Sequence, residues 1–569
     1  MLLDARVIGG THGEPALQAA VCVIGGGVAG ITVALALGRA GVDVLLLESG
    51  GLTSEAATDH LSRAATTTTP GLPLHEHARG RFLGGSSNLW GGWCRPLERE
   101  DFEARSWVPG SGWPIAYDEM LPYYRRSHDV LDLGPDNYDP TFWIGSIDDP
   151  RVRRIPFADD DVQDSFTQFS GRHRLGARHR EELVSSRRVR LVLHANVTEL
   201  VTDPQARRVT GVEVRTLSGA RFTVAARQVV LATGGIENAR LLLASDRMSP
   251  QGLGNDHDLV GRHFMDHPRL RIGKVTVRGP LRDNLLYDLS THDRTPGLTA
   301  HGTSVAAHFV LNPRVVEEEQ LLASRAWLRT SVVAAESHGV QALRRLRMGV
   351  AQRGGWQPDH AELAAAAVRD PFRVAAYMVG RTLNTAGRRT SIEVIAESTP
   401  DPDSRVTLAE ARDALGMRKV RVAWRLGDEV GRTLHRTATL VGAALERAGA
   451  ADVTIPALRD DWREHATSTW HHMGTTRMAL SPEAGVVDPS GRVHGVENLY
   501  VAGSSVFPSV GANFPTMTLT ALALRLADHL VALERPVELG HPDLAAPVEA
   551  PPWPAVAPVH KAAKRPQPH

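Results

Sequence analysis

The chain has 569 residues, and its 64 Lys and Arg are matched by 64 Asp and Glu, so the formal charge is zero. Without a basic excess there is no general means of neutralising phosphates, which excludes broad nucleic-acid binding and gives no support to a polybasic membrane anchor. With 42% hydrophobic residues there is material for a sizeable core, and only Cys22 and Cys94 are present, which excludes a disulfide framework and any four-cysteine metal or cluster site. At roughly 150 residues per domain, about four units is the upper bound. Residues 1–20 carry Asp4, Arg6, His12 and Glu14 without the apolar stretch of a signal peptide. No stretch approaches the ~20 apolar residues of a membrane-crossing helix. The expectation is a cytoplasmic protein with neither nucleic acid nor membrane as partner.

In chain order, Val21-Cys22-Val23-Ile24 reads as a buried strand and Gly25 to Gly30 as a glycine turn. Ile31–Ala40 follows as a helix with Ile31, Ala34, Leu35 and Gly38 on one face, and Gly41 ends it. Val42–Leu47 is a second buried strand, completing a βαβ unit. Residues 51–115 are irregular and rich in Thr and Gly. Arg190–Val197 reads as one strand, Val209–Arg215 and Arg221–Ala226 as a hairpin-like pair, Gln228–Ala232 as a further strand and Glu237–Ser245 as a short helix. Residues 266–459 mix strands (Arg269–Val277, Thr303–Leu311, Lys419–Arg425) with helical insertions (Asp359–Val379, Asp428–Ala448). That block carries no nucleotide signature, so it is the candidate substrate lobe. Leu499–Val501 returns to strand, and Thr516–Glu534 is a long helix. From residue 536 the composition turns to Pro and Ala, as in a disordered tail.

Gly25, Gly27 and Gly30 form G-x-G-x-x-G between strand and helix. The first permits the tight turn, the second lets backbone approach a pyrophosphate, and the third lets helix and strand pack closely. Val28 and Ala29 stand at the helix N-terminus, which favours negative charge. Glu48 ends the second strand, 48 − 30 = 18 residues on, with Ser49 beside it. A carboxylate there accepts hydrogen bonds from adenosine ribose hydroxyls and disfavours a 2′-phosphate, hence NADP. This unit leaves NAD and FAD both open. A second clue is Leu231-Ala232-Thr233-Gly234-Gly235, a strand ending in a small-residue turn that can pass close to a cofactor.

Several further segments stand in order along the chain. They are Leu83-Gly84-Gly85-Ser86-Ser87-Asn88-Leu89-Trp90-Gly91-Gly92, Ala232 to Asn238, Val260 to Pro268, Ser404 to Leu408, His471-His472-Met473-Gly474-Thr475 and Asn498 to Ser505. Together with the βαβ unit they resemble the glucose–methanol–choline (GMC) flavoprotein oxidoreductases, in particular the bacterial branch acting on sugars and polyols, near the pyranose oxidases. The resemblance spans nearly the whole chain apart from the tail. It implies an α/β fold with a discontinuous Rossmann-like FAD-binding lobe (1–60, 185–265 and 460–535), flavin-covering loops and connection (61–184), and a sheet-based substrate lobe (266–459), ahead of the tail (536–569).

The same resemblance implies FAD contacts from Gly84, Gly85, Ser87, Asn88, Leu89, Trp90, Gly91, Gly92, Val197, Ala232, Thr233, Gly234, Ala502, Gly503, Pro515 and Thr516, beside the glycine turn and Glu48. Some relatives attach FAD through a histidine in the loop; Leu89 matches that position and no His lies between residues 78 and 107, so the FAD is expected to be non-covalent. Gly503 stands where many members carry Asp, so backbone contacts are expected there.

Oxidising an alcohol removes a proton from oxygen and a hydride from carbon, and histidine's natural range suits the proton step. The family's base, the first His of H-x-x-G-T, maps onto His471. Its second catalytic residue sits before Pro-Thr, where this chain has Phe514, which cannot donate a hydrogen bond; Asn513, one residue earlier, is expected to serve through a local bulge, with His472 as the other option. Trp93 and Phe514 are expected beside the substrate. His267 is assigned to packing and Cys94 to a buried inert thiol. His471-His472 and His75-Glu76-His77 invite a metal, but no Asp/Cys pattern supports one. The expected reaction is FAD-dependent oxidation of an alcohol on a sugar, polyol or glycoside, with hydride passing to flavin N5. Oxygen, a quinone or a protein carrier then accepts the electrons. Three other readings stay open: a flavin-dependent lyase without net redox, a non-enzymatic flavin-binding protein, and an NAD-dependent dehydrogenase.

Overall fold

The computed structural model describes residues 1–8, 16–63, 66–67, 78–147, 149, 152–157, 161–171, 174–278, 286–287, 299–332, 337–353, 360–383 and 388–534. The expected tail and the His75–His77 segment lie outside these residues. Two large sheets organise the rest. In the first, Leu2–Asp4, Val189–Leu193, Val44–Leu47, Leu17–Ile24 and Arg221–Leu231 run parallel in that order, and Leu499–Val501 joins the end of Arg221–Leu231. Val21–Ile24 and Val44–Leu47 are buried throughout, as β-branched and leucine runs covered on both faces must be. The register places Ile24 beside Leu47 and Leu231, and Leu231 beside Val501. Four chain segments therefore leave the sheet at one edge: the glycine turn, Glu48, Thr233-Gly234 and Ala502-Gly503. Ligands of open α/β sheets bind outside that carboxyl edge.

Two strand expectations change. Arg190–Val197 is broken at His194, whose backbone is left-handed (φ 57°) and whose ring meets Glu55 at 3.0 Å. The chain continues as Asn196–Thr202 and pairs antiparallel with Val209–Arg215. Arg221–Ala226 and Gln228–Ala232 are one strand, Arg221–Leu231. Its first part is antiparallel to Val209–Arg215 and its second is parallel to Leu17–Ile24.

The second sheet is antiparallel, in the order Ala451–Thr454, Pro268–Val277, Arg388–Ala396, Ser324–Val332, Thr303–Leu311, Val162–Phe169 and Trp93–Cys94. Alternation assigns its faces. Leu270, Ile272, Ile392, Val394, Ala326 and Leu328 join the core that includes Leu434 and Val441 of helix Asp428–Arg447. Arg269, Glu393, Trp327 and Arg329 lie on the other face and line a cavity. Two of these strands, Trp93–Cys94 and Val162–Phe169, come from residues 61–184, so that stretch is more than the covering loops expected. Conversely, the hairpin Arg405–Arg412 and Arg418–Ala423, assigned by sequence to the substrate lobe, shares the first sheet's core through Val406, Val420 and Val422.

Asp359–Val379 is two helices, His360–Val368 and Pro371–Leu383, because Pro371 lacks an N–H and disfavours helical backbone before it. Contrary to the sequence expectation, one helix among the described residues, Pro515–Glu534, is long and apolar enough to cross a membrane. It packs instead against Val28–Arg39 and Tyr117–Leu131, where Thr518 meets the Tyr124 hydroxyl at 3.0 Å. It is a core helix.

Candidate functional site

A cavity of about 490 Å³ runs from the glycine turn to the face of the second sheet. At its first end Gly25 has φ 106°, and a Cβ there would lie 2.6 Å from the Ala232 carbonyl, so two turns touch backbone to backbone. Nothing stands within 4 Å of a Cβ built on Gly27, which starts helix Val28–Arg39 without a side-chain cap. The amides of that first turn and the positive end of the helix dipole therefore face open space, as a pyrophosphate requires. Glu48 is 4% exposed; its carboxylate accepts from the amides of Gly26 (2.8 Å) and Gly50 (2.8 Å) and from the Ser49 hydroxyl (3.1 Å). Oε1 takes two of these bonds and Oε2 one, so Oε2 keeps acceptor capacity for a ribose hydroxyl.

Asn238 ties two cavity walls together. Its Oδ1 accepts from the Thr233 amide (2.8 Å) and hydroxyl (2.6 Å), and its Nδ2 donates to the Ser505 hydroxyl (2.9 Å) and the Ala502 carbonyl (3.4 Å). Beneath that wall lies an ion cluster. Glu237 meets Arg79 (2.7 Å), Arg81 (3.5 Å) and Arg240 (3.2 Å), and Arg240 also meets Asp413 (2.7 Å). Burial alone would raise the Glu237 carboxyl, but Arg240, Arg79 and Arg81 outweigh it and hold it at about 2.

Most of the expected contacts line this cavity: Gly25, Gly27, Val28, Ala29, Glu48, Ser49, Gly85, Ser87, Leu89, Trp90, Gly91, Val197, Ala232, Thr233, Gly234, Ala502, Gly503, Pro515 and Thr516. Gly30, Gly84, Asn88 and Gly92 do not. A Cβ on Gly30 would run into the Gly25 carbonyl, so Gly30 serves helix packing. Asn88 turns inward to the Leu83 and Gly85 carbonyls (3.1 and 2.9 Å) and shapes the loop. Gly84 accepts from Ser87 Oγ (2.6 Å), and Gly92 from the Ser170 amide (2.7 Å).

At the far end His471 and His472 both line the cavity, with Trp93, Trp327 and Phe514 as an aromatic wall. Trp93 lies 4.6 Å from Phe169 and 5.0 Å from Phe514, centroid to centroid. His471 Nδ1 lies 3.0 Å from His267 Nδ1 and 3.0 Å from Thr469 Oγ1. Buried Asp266 organises the segment: it accepts from the amides of His471 (3.0 Å) and His267 (2.7 Å) and from the hydroxyls of Thr469 (2.9 Å) and Ser468. Trp470 is held between these anchors in left-handed backbone (φ 63°). Burial pushes His471 well below the usual imidazole range, helped by the neighbouring His267, His472 and Arg269. His267 is lowered to about 4 and His472 to about 3, in both cases chiefly by burial. All three rings are neutral at neutral pH.

Asn513 is a correction. It is buried away from the cavity, with Nδ2 donating to the Pro96 carbonyl (2.7 Å) and Glu98 Oε1 (3.2 Å). The next residue, Phe514, takes the cavity wall, since successive side chains of an extended turn point to opposite sides. The two cysteines are buried free thiols; burial raises Cys22 to about 12 and pushes Cys94 up as well. The sequence reading missed Arg269, Arg329, Glu393 and Trp327, which face the cavity from alternate strand positions, and Arg79, Arg81 and Glu237 beneath the loop. Polar residues alternating with apolar ones mark a two-faced strand, but the pattern does not say whether the polar face meets solvent or a cavity.

An open helix N-terminus, an anchored acid for a ribose and an aromatic-lined chamber on one cavity fit FAD. Comparison with known proteins agrees. Residues 20–251 match the FAD-dependent oxidoreductase model, and residues 400–523 match the GMC oxidoreductase model. The matched stretches are those of GMC-type FAD-dependent oxidoreductases.

Both ends of the cavity fall in the matched stretches, the glycine turn in one and His471 in the other. Among GMC-type relatives, the fructose dehydrogenase large subunit of Gluconobacter japonicus is 23% identical, over 90% of this chain and 98% of its own length. The 2-methyl-1,2-propanediol dehydrogenase of Mycolicibacterium austroafricanum is 24% identical, over 90% and 95%. In fold the chain is similar to formate oxidase of Aspergillus oryzae (TM-score 0.55, 19% identity, 92% of this chain and 99% of that one). It is also similar to pyridoxine 4-oxidase from Mesorbium loti (TM-score 0.54, 17% identity, 90% and 99%). This GMC protein is an FAD-dependent oxidoreductase of a family acting on CH–OH donors.

Proposed function

We propose that this GMC oxidoreductase oxidises an alcohol of a sugar, polyol or glycoside, with His471 as general base and FAD held non-covalently. One observation carries the reading: a half-buried, neutral imidazole lines the same continuous cavity as the dinucleotide-binding turn. Its Nδ1 is engaged by His267 and Thr469, while Nε2 has no hydrogen-bond partner among the described residues. When bound, FAD supplies the acceptor for the hydride leaving the carbinol carbon. His471 Nε2 takes the hydroxyl proton, so the substrate loses a hydride from carbon and a proton from oxygen, two electrons in all, and the carbinol becomes a carbonyl. Trp93, Trp327 and Phe514 exclude water around that carbon. Arg269, Arg329 and Glu393 supply polar edges on the sheet face for further hydroxyls of a polyhydroxylated substrate. His472, with Nε2 buried and unpartnered, takes the place expected of Asn513 in holding the substrate oxygen. The names of the relatives, which specify a sugar and a diol, point the same way. Leu89 at the flavin-facing loop offers no imidazole for a covalent bond.

The test is a sugar, polyol and glycoside panel added without oxygen to the purified flavoprotein. Bleaching of the oxidised flavin by at least one member supports the reading. Product formation with the flavin still oxidised would instead favour lyase chemistry. His471→Ala keeps its FAD, and its reduction rate falls by roughly 10²–10⁴. An unchanged rate removes His471 as the base.

A further inference from the structure

We propose that His267 is a positioning residue that locks the His471 ring in the tautomer whose Nε2 lone pair faces the cavity. The inference rests on His471 being the base and deepens that reading. It begins from a carbonyl. His267 Nε2 lies 3.0 Å from the Gly511 carbonyl oxygen, which can only accept. The His267 proton is therefore on Nε2, and its Nδ1, in a neutral ring, carries a lone pair. That Nδ1 faces His471 Nδ1 at 3.0 Å, with the ring planes at 87°. Two bare lone pairs at this distance would repel and leave buried His267 Nδ1 without a donor. His471 Nδ1 must carry the hydrogen and donate it. The opposite tautomer at His471 would put its proton on Nε2 and leave nothing there to receive the substrate's proton.

Thr469 agrees with this chain. Its hydroxyl has one proton, best given to the Asp266 carboxylate at 2.9 Å. Its oxygen is then an acceptor toward His471 Nδ1, so the Nδ1–H is shared between His267 and Thr469.

The surroundings also suit the charge that follows. Once His471 has taken the substrate's proton, the cation keeps two acceptors on Nδ1. The Asp266 carboxylate accepts its backbone amide, and Glu397 stands behind Gly511, taking the Gly511 amide at 3.2 Å. Arg269 and His472 are the groups on the opposing side. His267 is completely buried and touches the reacting oxygen through no atom of its own; its effect passes through His471.

The test compares His267→Leu, His267→Asn and His471→Ala holoenzymes by anaerobic rapid mixing, beside ¹⁵N NMR of histidine-labelled protein with and without FAD. In the wild type the His471 ring signals, assigned by difference with His471→Ala, should show a protonated Nδ1 and a bare Nε2. His267→Leu should lower the flavin reduction rate by roughly 10–10² with KM little changed, below the ~10⁴ seen where a wrong tautomer has no second holder, because Thr469 remains. The acid limb of the rate should move to lower pH, since the cation loses an acceptor; a merely structural defect would lower the plateau without moving that limb. His267→Asn, whose Oδ1 can stand where Nδ1 stood, should recover most of the rate. A protonated Nε2 on His471 overturns the proposal. So does a His267→Leu enzyme with an unaltered rate and limb, or an Asn variant no better than Leu at equal FAD content. If His471→Ala is slow while His267→Leu is not, only the positioning role falls; if neither is slow, the base assignment falls with it.

Discussion

Arg240 offers the sharpest test of what holds the cofactor wall in place. Its side chain is 2% exposed, and it donates to Glu237 (3.2 Å), Asp413 (2.7 Å) and the carbonyls of Arg418 (2.8 Å), Leu61 (3.3 Å) and Met417 (3.4 Å). Arg240→Met keeps the volume and removes every donor. Breaking a buried ion pair costs about 3–5 kcal/mol, because the remaining charge stays in low dielectric. Two features pull the value down: Glu237 retains Arg79 at 2.7 Å, and Asp413 Oδ1 still accepts from the amides of Leu415 (2.9 Å) and Met417 (3.1 Å). Three carbonyls losing a donor at about 1 kcal/mol each push it back up. We expect a loss of about 4 kcal/mol for Arg240→Met and roughly half of it for Arg240→Lys, which keeps the charge without the fork. Urea unfolding followed by far-UV circular dichroism and flavin fluorescence measures both. A change within ~0.5 kcal/mol for Arg240→Met, the range of an ordinary surface substitution, would refute the reasoning.

Asn238→Ala removes four hydrogen bonds, two of them buried, between the turns at Thr233 and Ala502; FAD affinity should fall roughly tenfold to a hundredfold, for about 1–3 kcal/mol, as read by equilibrium dialysis. Acid should destabilise the fold through its buried rings. His267, His263 and His179 sit at about 4 when folded, against 6.5 in the unfolded chain, chiefly through burial. The unfolded state thus binds more protons between those values, so stability is full above pH 6.5 and falls as pH drops toward 4. Denaturation midpoints that stay flat across that window would contradict the buried, neutral assignment. The same burial predicts that substrate-driven flavin reduction holds its plateau down through pH 6.5 and declines only in more acid solution, a profile that stopped-flow measurements resolve.

The nucleotide end was legible because its chemistry is local. A turn that needs glycine, a strand that needs β-branched residues and an acid at a strand end all announce themselves within thirty residues. The substrate end is built from distant pieces, and its polar groups obey no local rule. Val162–Phe169 reads Val-Gln-Asp-Ser-Phe-Thr-Gln-Phe, a poor strand by hydrophobic pattern. It is buried because tertiary partners satisfy it: Gln168 donates to the Pro135 carbonyl (2.7 Å), and Asp164 accepts from Arg154 (2.6 Å). Phe514 faces the cavity as expected while Asn513 turns away, because a single residue of register in a turn decides which side chain faces inward. His267 looked like packing because its task depends on which ring nitrogen holds a hydrogen, and that follows only from the Gly511 carbonyl opposite.

The parallel sheet draws its cofactor edge from positions as far apart as Ile24 and Val501, and Thr516 closes the same cavity from the final helix. During synthesis, then, the glycine turn leaves the ribosome almost five hundred residues before the walls that complete its pocket. A nascent chain stopped short of Pro515 therefore carries the glycine turn and Glu48 without Phe514's neighbours on that helix, and the cavity is complete only once residues up to 519 have been made.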